Sequence, residues 1–325
     1  MTASKRADLV LEGGGVKGIG LVGAVEALAE VGYSFPRVAG TSAGAVVAAL
    51  VAGLQRAGEP LSRLGELIGG LDYRRFRDRS LLGQVPLLGG LLALLTEDAL
   101  YQGKYLEDFL DSTLRDLGVR TFGDLRREDP GASPEQHWSL VVTASDLSRK
   151  QLVRIPWDLP AYGMDPDEMS VATAVRASAA IPLFFRPVQV GGATWVDGGL
   201  LSDFPVGLFD RADSLEPRWP TFGVRLTTRP GTPPVDHPVR GPLAVAIAAL
   251  DVLVTDQDAA YINESCTVQR TVFVPTDGVS AVDFGISPAR SQALRSAGRA
   301  AGEVFLSSWD ESAYLRHCRP ASLSP

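Results

Sequence analysis

Three short glycine-bearing stretches hold the residue types that can do chemistry together. The first is Gly40-Thr41-Ser42-Ala43-Gly44, a Gly-x-Ser-x-Gly pattern. A serine so placed sits on a tight strand-to-helix turn, with its hydroxyl above the sheet and a helix N-terminus that favours a developing anion. The second is Gly13-Gly14-Gly15-Val16-Lys17-Gly18. Consecutive glycines between a strand and a helix expose backbone N–H groups that point one way and cradle an anion. One reading is a phosphate site, although the spacing matches neither Gly-x-Gly-x-x-Gly nor a P-loop ending in Lys-Ser/Thr. The other is an oxyanion hole, a set of donors aimed at a tetrahedral intermediate. The third stretch is Val196-Asp197-Gly198-Gly199, an aspartate closing a strand. Alone it is an ordinary turn aspartate. Beside a serine turn and an anion cradle it becomes a candidate base.

Something must accept the proton of Ser42. The histidines are His137, His237 and His317. His137 opens a strand after a polar loop, His237 lies between prolines, and His317 stands among charged residues near the C-terminus. None follows a strand as a triad histidine does. His237 and His317 do follow Asp197, so chain order leaves a Ser-His-Asp esterase open.

The elements that must position these residues follow from hydrophobic spacing. Leu9–Leu11 reads as a buried strand that breaks at the glycines. Gly20–Val31 reads as a helix, with Leu21, Ala24, Val25 and Leu28 at helical spacing and Gly32 as its stop. Val38-Ala39 ends a second strand, Gly40–Gly44 is a turn, and Ala45–Gly53 is a wholly apolar helix, buried on all sides. Strand, turn and helix thus recur twice within about fifty residues, the rhythm of a parallel sheet covered by helices. Further strands are expected at Trp138–Ala144, Gln151–Ile155, Thr194–Val196, Thr221–Leu226 and Thr271–Val274. Helices are expected at Ser170–Ala179, Leu243–Glu264 and Pro288–Ser308. Arg229–Pro242 is proline-rich and reads as a surface loop, and the tail beyond Arg319 as loose. The sequence shows no internal repeat and no domain linker.

Composition narrows the function classes. The 325 residues are 45% hydrophobic and 21% charged, ordinary values for a globular protein large enough to need no staples. A net charge of −7 disfavours a nucleic-acid partner held by bulk charge. Cys266 and Cys318 lie far apart with no Cys-x-x-Cys pattern, and so read as two buried or incidental thiols and not as a disulfide framework or zinc ribbon. The N-terminal apolar run is too short for a secretory signal, and no run reaches the length of a membrane span, so a cytoplasmic location is expected.

The runs LVLEGGGVKGIGLVGAVEAL, GTSAGAVVAAL and AVRASAAIPLFFRPV…WVDGGLLSDFPV, in this order, resemble the patatin-like phospholipase family over roughly Ala7–Ala301. The resemblance implies an α/β fold with three α/β/α layers around a central, mostly parallel sheet. It implies Ser42 as nucleophile, Asp197 as general base, and Gly13, Gly14 and Gly15 as the oxyanion hole. Lys17 matches the family's basic position in the glycine loop, and Gly18, Gly40, Gly44, Gly198 and Gly199 complete the motifs. The implied enzyme is a serine lipid acyl hydrolase working through a Ser–Asp dyad and an acyl-enzyme, with no cofactor and no metal. Its partners would be a lipid substrate and, transiently, a membrane surface. Residues 1–310 would form one domain and 311–325 a tail. Leu71–Tyr105 matches nothing within the family. Its leucines from Leu81 to Leu95, broken by Pro86 and glycines and flanked by charges, suggest either an apolar flap over residues 72–105 or plain core. A phosphate- or nucleotide-binding protein remains the alternative from another class, and it predicts no role for Ser42.

Overall fold

The computed structural model describes residues 5–76, 101–128, 133–182, 184–210, 219–227, 265–276 and 278–318. The leucine run 81–95, His237, the loop 229–242 and the expected helix 243–264 lie outside the described residues.

Ten strands are described: β1 (Lys5–Arg6), β2 (Asp8–Leu11), β3 (Tyr33–Ser34), β4 (Val38–Thr41), β5 (Leu140–Asp146), β6 (Gln151–Ile155), β7 (Val188–Val190), β8 (Ala193–Asp197), β9 (Thr221–Arg225) and β10 (Thr271–Phe273). β1 and β3 form a small parallel pair, and the other eight form one mixed sheet in the order β10-β9-β2-β4-β5-β8-β7, with β6 also paired to β5. The five strands from β10 to β5 run parallel, whereas β6 and β8 are antiparallel to β5, and β7 is antiparallel to β8. The helices are α1 (Ile19–Glu30), α2 (Ala43–Ala57), α3 (Leu64–Gly69), α4 (Lys104–Asp116), α5 (Val171–Ser178), α6 (Ser265–Gln269), α7 (Pro288–Ser308) and α8 (Glu311–Cys318).

Both faces of the sheet are covered, as parallel strands require. Leu9, Leu11, Val38, Leu140 and Val142 feed the larger core, while Val10, Ala39 and Val141, one residue out of phase, pack with Phe204, Val206 and Phe209 on the other face. The three-layer α/β/α arrangement expected from the sequence is the one observed. Helix α2 is buried continuously from Gly44 to Leu54, which explains why its sequence carries no polar stripe.

Strand β5 sets the geometry of the site. Its Val142–Asp146 stretch pairs with β6 along one edge. Its other edge is shared end to end. β4 runs up to Thr41 opposite Thr143, and β8 runs down to Asp197 opposite Ala144, the next residue along. Two strand C-termini therefore converge head-on at one level of β5.

Three findings differ from the sequence reading. β4 continues through Thr41 and α2 begins at Ala43, so the expected five-residue turn shrinks to Ser42. Helix α4 was not anticipated, although Leu106, Leu110 and Leu114, its buried face, recur at four-residue spacing. Cys266 and Cys318 are not thiols but a disulfide, their Cα atoms 5.4 Å apart across a sequence separation of 52. The bridge joins α6 to α8, a helix formed by the first residues of the expected tail. Among the described residues no helix is long and apolar enough to cross a membrane.

Candidate active site

Ser42 occupies the single residue between β4 and α2, with φ 52° and ψ −119°. A positive φ on a side-chain-bearing residue costs on the order of 1–3 kcal/mol and persists only where the surroundings enforce it. Here the glycines enforce it by admitting close backbone contacts. A Cβ on Gly40 would lie 2.2 Å from the Gly44 carbonyl oxygen, and one on Gly44 would lie 2.3 Å from that of Leu11. The Ser42 N–H donates to Ser178 Oγ at 2.8 Å, and its carbonyl accepts from Ala45 N–H at 3.0 Å, opening α2. The hydroxyl is thereby projected off the sheet at a helix N-terminus.

The Ser42 hydroxyl donates to Asp197 Oδ2 at 2.6 Å. The other oxygen, Oδ1, accepts from the Gly199 N–H at 2.8 Å, so the carboxylate is oriented from both sides. Gly198 lies against Thr143, whose Oγ1 is 2.7 Å from Thr41 Oγ1 beneath the pair. Ser42 and Asp197 are both buried. Burial pushes the Asp197 carboxyl up from 3.8 to about 6; the hydrogen bonds from Ser42 and Gly199 oppose that rise without cancelling it. Among the described residues no histidine hydrogen-bonds either member of the pair.

The glycine loop runs beside Ser42, with Gly13 nearest: a Cβ there would sit 3.2 Å from the Ser42 Cβ. The N–H of Gly13 donates to the Asp203 carbonyl at 3.2 Å and that of Val16 to the Ala281 carbonyl at 2.9 Å. Gly14, at φ 148°, and Gly15, at φ 56°, turn the chain between these anchors. Among the described residues neither the Gly14 nor the Gly15 N–H donates a hydrogen bond. Of the three glycines expected as donors, Gly13 is thus committed elsewhere. Lys17 lies near enough to Glu12 for its charge to act on that carboxyl. Gly18 packs on Ala43 at the start of α2, where a Cβ would approach the Ala43 Cβ to 2.7 Å.

Two supports were missed in the sequence. Glu12, at the end of β2, is buried and accepts from Arg225 Nε at 2.7 Å and from the Leu226 N–H. Burial pushes its carboxyl up, against the pull of Arg225. This ion pair locks the base of the glycine loop to β9, and an acid directly after the apolar run Leu9–Leu11 was the available signal. Ser178, the acceptor for the Ser42 N–H, lies on α5 within a run of small residues and carried no signal.

From Ser42 an apolar cavity of about 60 Å³ opens along α2, lined by Gly15, Val47, Phe76, Phe185 and Phe284 among others. Among the described residues no cluster of His, Cys, Asp and Glu could hold a metal ion.

The site is thus a strained serine at a strand-to-helix turn of a mixed sheet that is covered on both faces. Comparison with known proteins narrows the class. Residues 9–210 match the family model described as patatin-like phospholipase, and the chain belongs to that family. It is 37% identical over 307 residues to the uncharacterized protein YqhO of Bacillus subtilis, covering 93% of this chain and 98% of the relative. It is 29% identical over 206 residues to the uncharacterized NTE family protein Rv2565 of Mycobacterium tuberculosis, covering 63% of this chain and 28% of that protein. Among solved structures, VipD from Legionella pneumophila has a similar fold, with a TM-score of 0.53 and 20% identity, covering 94% of this chain and 67% of that one.

Proposed function

We propose that this chain is a serine lipid acyl hydrolase that cleaves fatty acyl esters through a Ser42–Asp197 dyad. The observation that carries this reading is the 2.6 Å hydrogen bond from the Ser42 hydroxyl to a buried carboxylate, made without an intervening imidazole. Asp197 takes the proton as Ser42 Oγ attacks the ester carbonyl carbon. The carbonyl oxygen becomes an oxyanion and is received by the Gly14 and Gly15 N–H groups. Collapse of the tetrahedral intermediate breaks the ester C–O bond. The leaving alkoxide takes the proton back from Asp197, and the acyl group remains on Ser42. Water then enters, gives its proton to Asp197 and attacks the acyl-enzyme, which releases the acid and restores Ser42. A carboxylate is a weak base towards an alcohol, and burial raises its basicity towards the working pH.

The substrate in this reading is a phospholipid or related lipid ester, met at a membrane surface. Treatment with a fluorophosphonate probe tests it, because only an activated serine reacts. We expect stoichiometric labelling at Ser42 and none in Ser42→Ala. An unlabelled, folded wild type sinks the reading and favours a binding role for the glycine loop.

A further inference from the structure

We infer that the cavity beside Ser42 admits only short acyl chains and that Phe76 is the side chain that closes it. The inference rests on the acyl-hydrolase reading above and deepens it by naming the class of acyl group.

The cavity follows α2 away from the nucleophile. Ala43, Val46 and Val47, one helical face, form one wall, and Ile181 and Phe185, just beyond α5, form part of another. With Ser42 at its mouth and carbon side chains around it, the space suits the hydrocarbon end of an ester. Its size is the constraint. A volume of about 60 Å³ is roughly twice a water molecule's share of liquid volume. A methylene is of similar size, so the first carbons of an acyl chain fill the cavity and those of a long fatty chain extend past it.

Three of the rings that line the cavity form a closed set. Phe76 meets Phe185 with centroids 6.5 Å apart and Phe284 at 5.7 Å, and these two meet each other at 6.1 Å, all edge-to-face. Phe76 also meets Tyr73 at 5.5 Å and Tyr105 at 5.7 Å. The loops bearing the other two rings are tied to the catalytic elements. Phe185 follows Ala180, whose carbonyl accepts from the Asp197 N–H at 3.0 Å, and Phe284 follows Ala281, whose carbonyl holds the Val16 N–H at 2.9 Å. Those rings are fixed by the site itself. Phe76 fills the gap between them from a different part of the chain, the turn Tyr73–Phe76, and is itself buried. It is the wall that can change size without moving the dyad or the glycine loop.

The test measures kcat/KM on p-nitrophenyl butyrate, hexanoate, octanoate and dodecanoate for wild type, Phe76→Ala and Phe76→Leu. Rates are normalised to the fraction of Ser42 titrated by a fluorophosphonate. Wild type should fall by about tenfold or more from hexanoate to dodecanoate. Phe76→Ala should raise the dodecanoate-to-butyrate ratio by about tenfold or more, with Phe76→Leu moving it the same way by less. Phe76→Leu keeps the wall apolar and serves if the alanine variant does not fold. A wild type that prefers dodecanoate, or a ratio unmoved in the folded variants with Ser42 fully titrated, overturns the chain-length inference alone. Failure of Ser42 to titrate at all overturns the acyl-hydrolase reading and this inference with it.

Discussion

The two halves of the proposed dyad are held in unfavourable states of different kinds. Ser42 is strained in its backbone, at φ 52° and ψ −119°, while its side chain is neutral. Asp197 has a negative φ, at φ −47° and ψ 132°, but its carboxylate is stripped of water. The first cost is conformational, on the order of 1–3 kcal/mol, and independent of pH. The second is electrostatic. A rise from 3.8 to about 6 corresponds to on the order of 3 kcal/mol, felt only where the group is ionised. The fold thus places the Ser42 hydroxyl by bending the chain and raises the basicity of Asp197 by drying its charge.

The comparison can be broken most directly by removing each half. Ser42→Ala and Asp197→Asn should each lower kcat/KM on a p-nitrophenyl ester by about a thousandfold or more, since an amide accepts no proton and a methyl is no nucleophile. A folded Asp197→Asn variant that keeps a substantial rate would show that the carboxylate is not the base.

The difference in kind is sharpened by stability. The folded pKa of Asp197 lies above its unfolded value, so the fold favours the neutral carboxyl. That relative stability is fully present below 3.8 and is lost as pH rises to about 6. Asp197→Asn, neutral throughout, should match wild type near pH 4 and exceed it at pH 8 by up to about 3 kcal/mol in chemical denaturation. Ser42→Gly should gain about 1 kcal/mol near pH 4, because glycine adopts the positive φ freely, and less at pH 8, where it deprives the ionised Asp197 of a hydrogen-bond donor. A gain for Asp197→Asn that does not depend on pH would contradict the electrostatic account.

A smaller effect concerns the wild-type rate. The base must be ionised, so kcat/KM should climb about tenfold per pH unit below about 6 and level off above it. An alkaline plateau beginning a unit or more away would place the controlling group elsewhere. The smallest effect is expected from replacing His137, His237 and His317 together by Gln, which should leave the rate within about twofold of wild type. A single histidine variant that folds but is inactive would replace the dyad with a triad.

Much of this site was legible because glycines mark where backbone comes close. Gly40, Gly44, Gly198 and the triplet at 13–15 bracketed Ser42, Asp197 and the donor loop. The boundaries of β6 and α7 were read directly from apolar spacing and from Pro288. What escaped depended on partners distant in the chain. The loss of the Gly13 N–H to Asp203 and the support of Ser42 by Ser178 are contacts across 190 and 136 residues. No local pattern encodes them. The Cys266–Cys318 bridge escaped for the same reason, since it needs α6 and α8 side by side. Helix α4 is a different matter. Its leucine spacing was visible but lay next to the leucine run at 81–95, which has no single period.

On the proposed function, the head-on meeting of β4 and β8 along one edge of β5 makes ester hydrolysis a clock for assembly. Sliding β8 by one residue would turn the Asp197 side chain to the opposite face of the sheet. A chain paired out of register would therefore be compact yet inert. The closest backbone contacts of the Ser42 turn, among Leu11, Gly40 and Gly44, are near in sequence, whereas Asp197 arrives only after a loop of 155 residues closes, a slow kind of event in folding. During refolding, recovery of ester hydrolysis should trail recovery of helical signal, and the lag would time the docking of that one antiparallel strand.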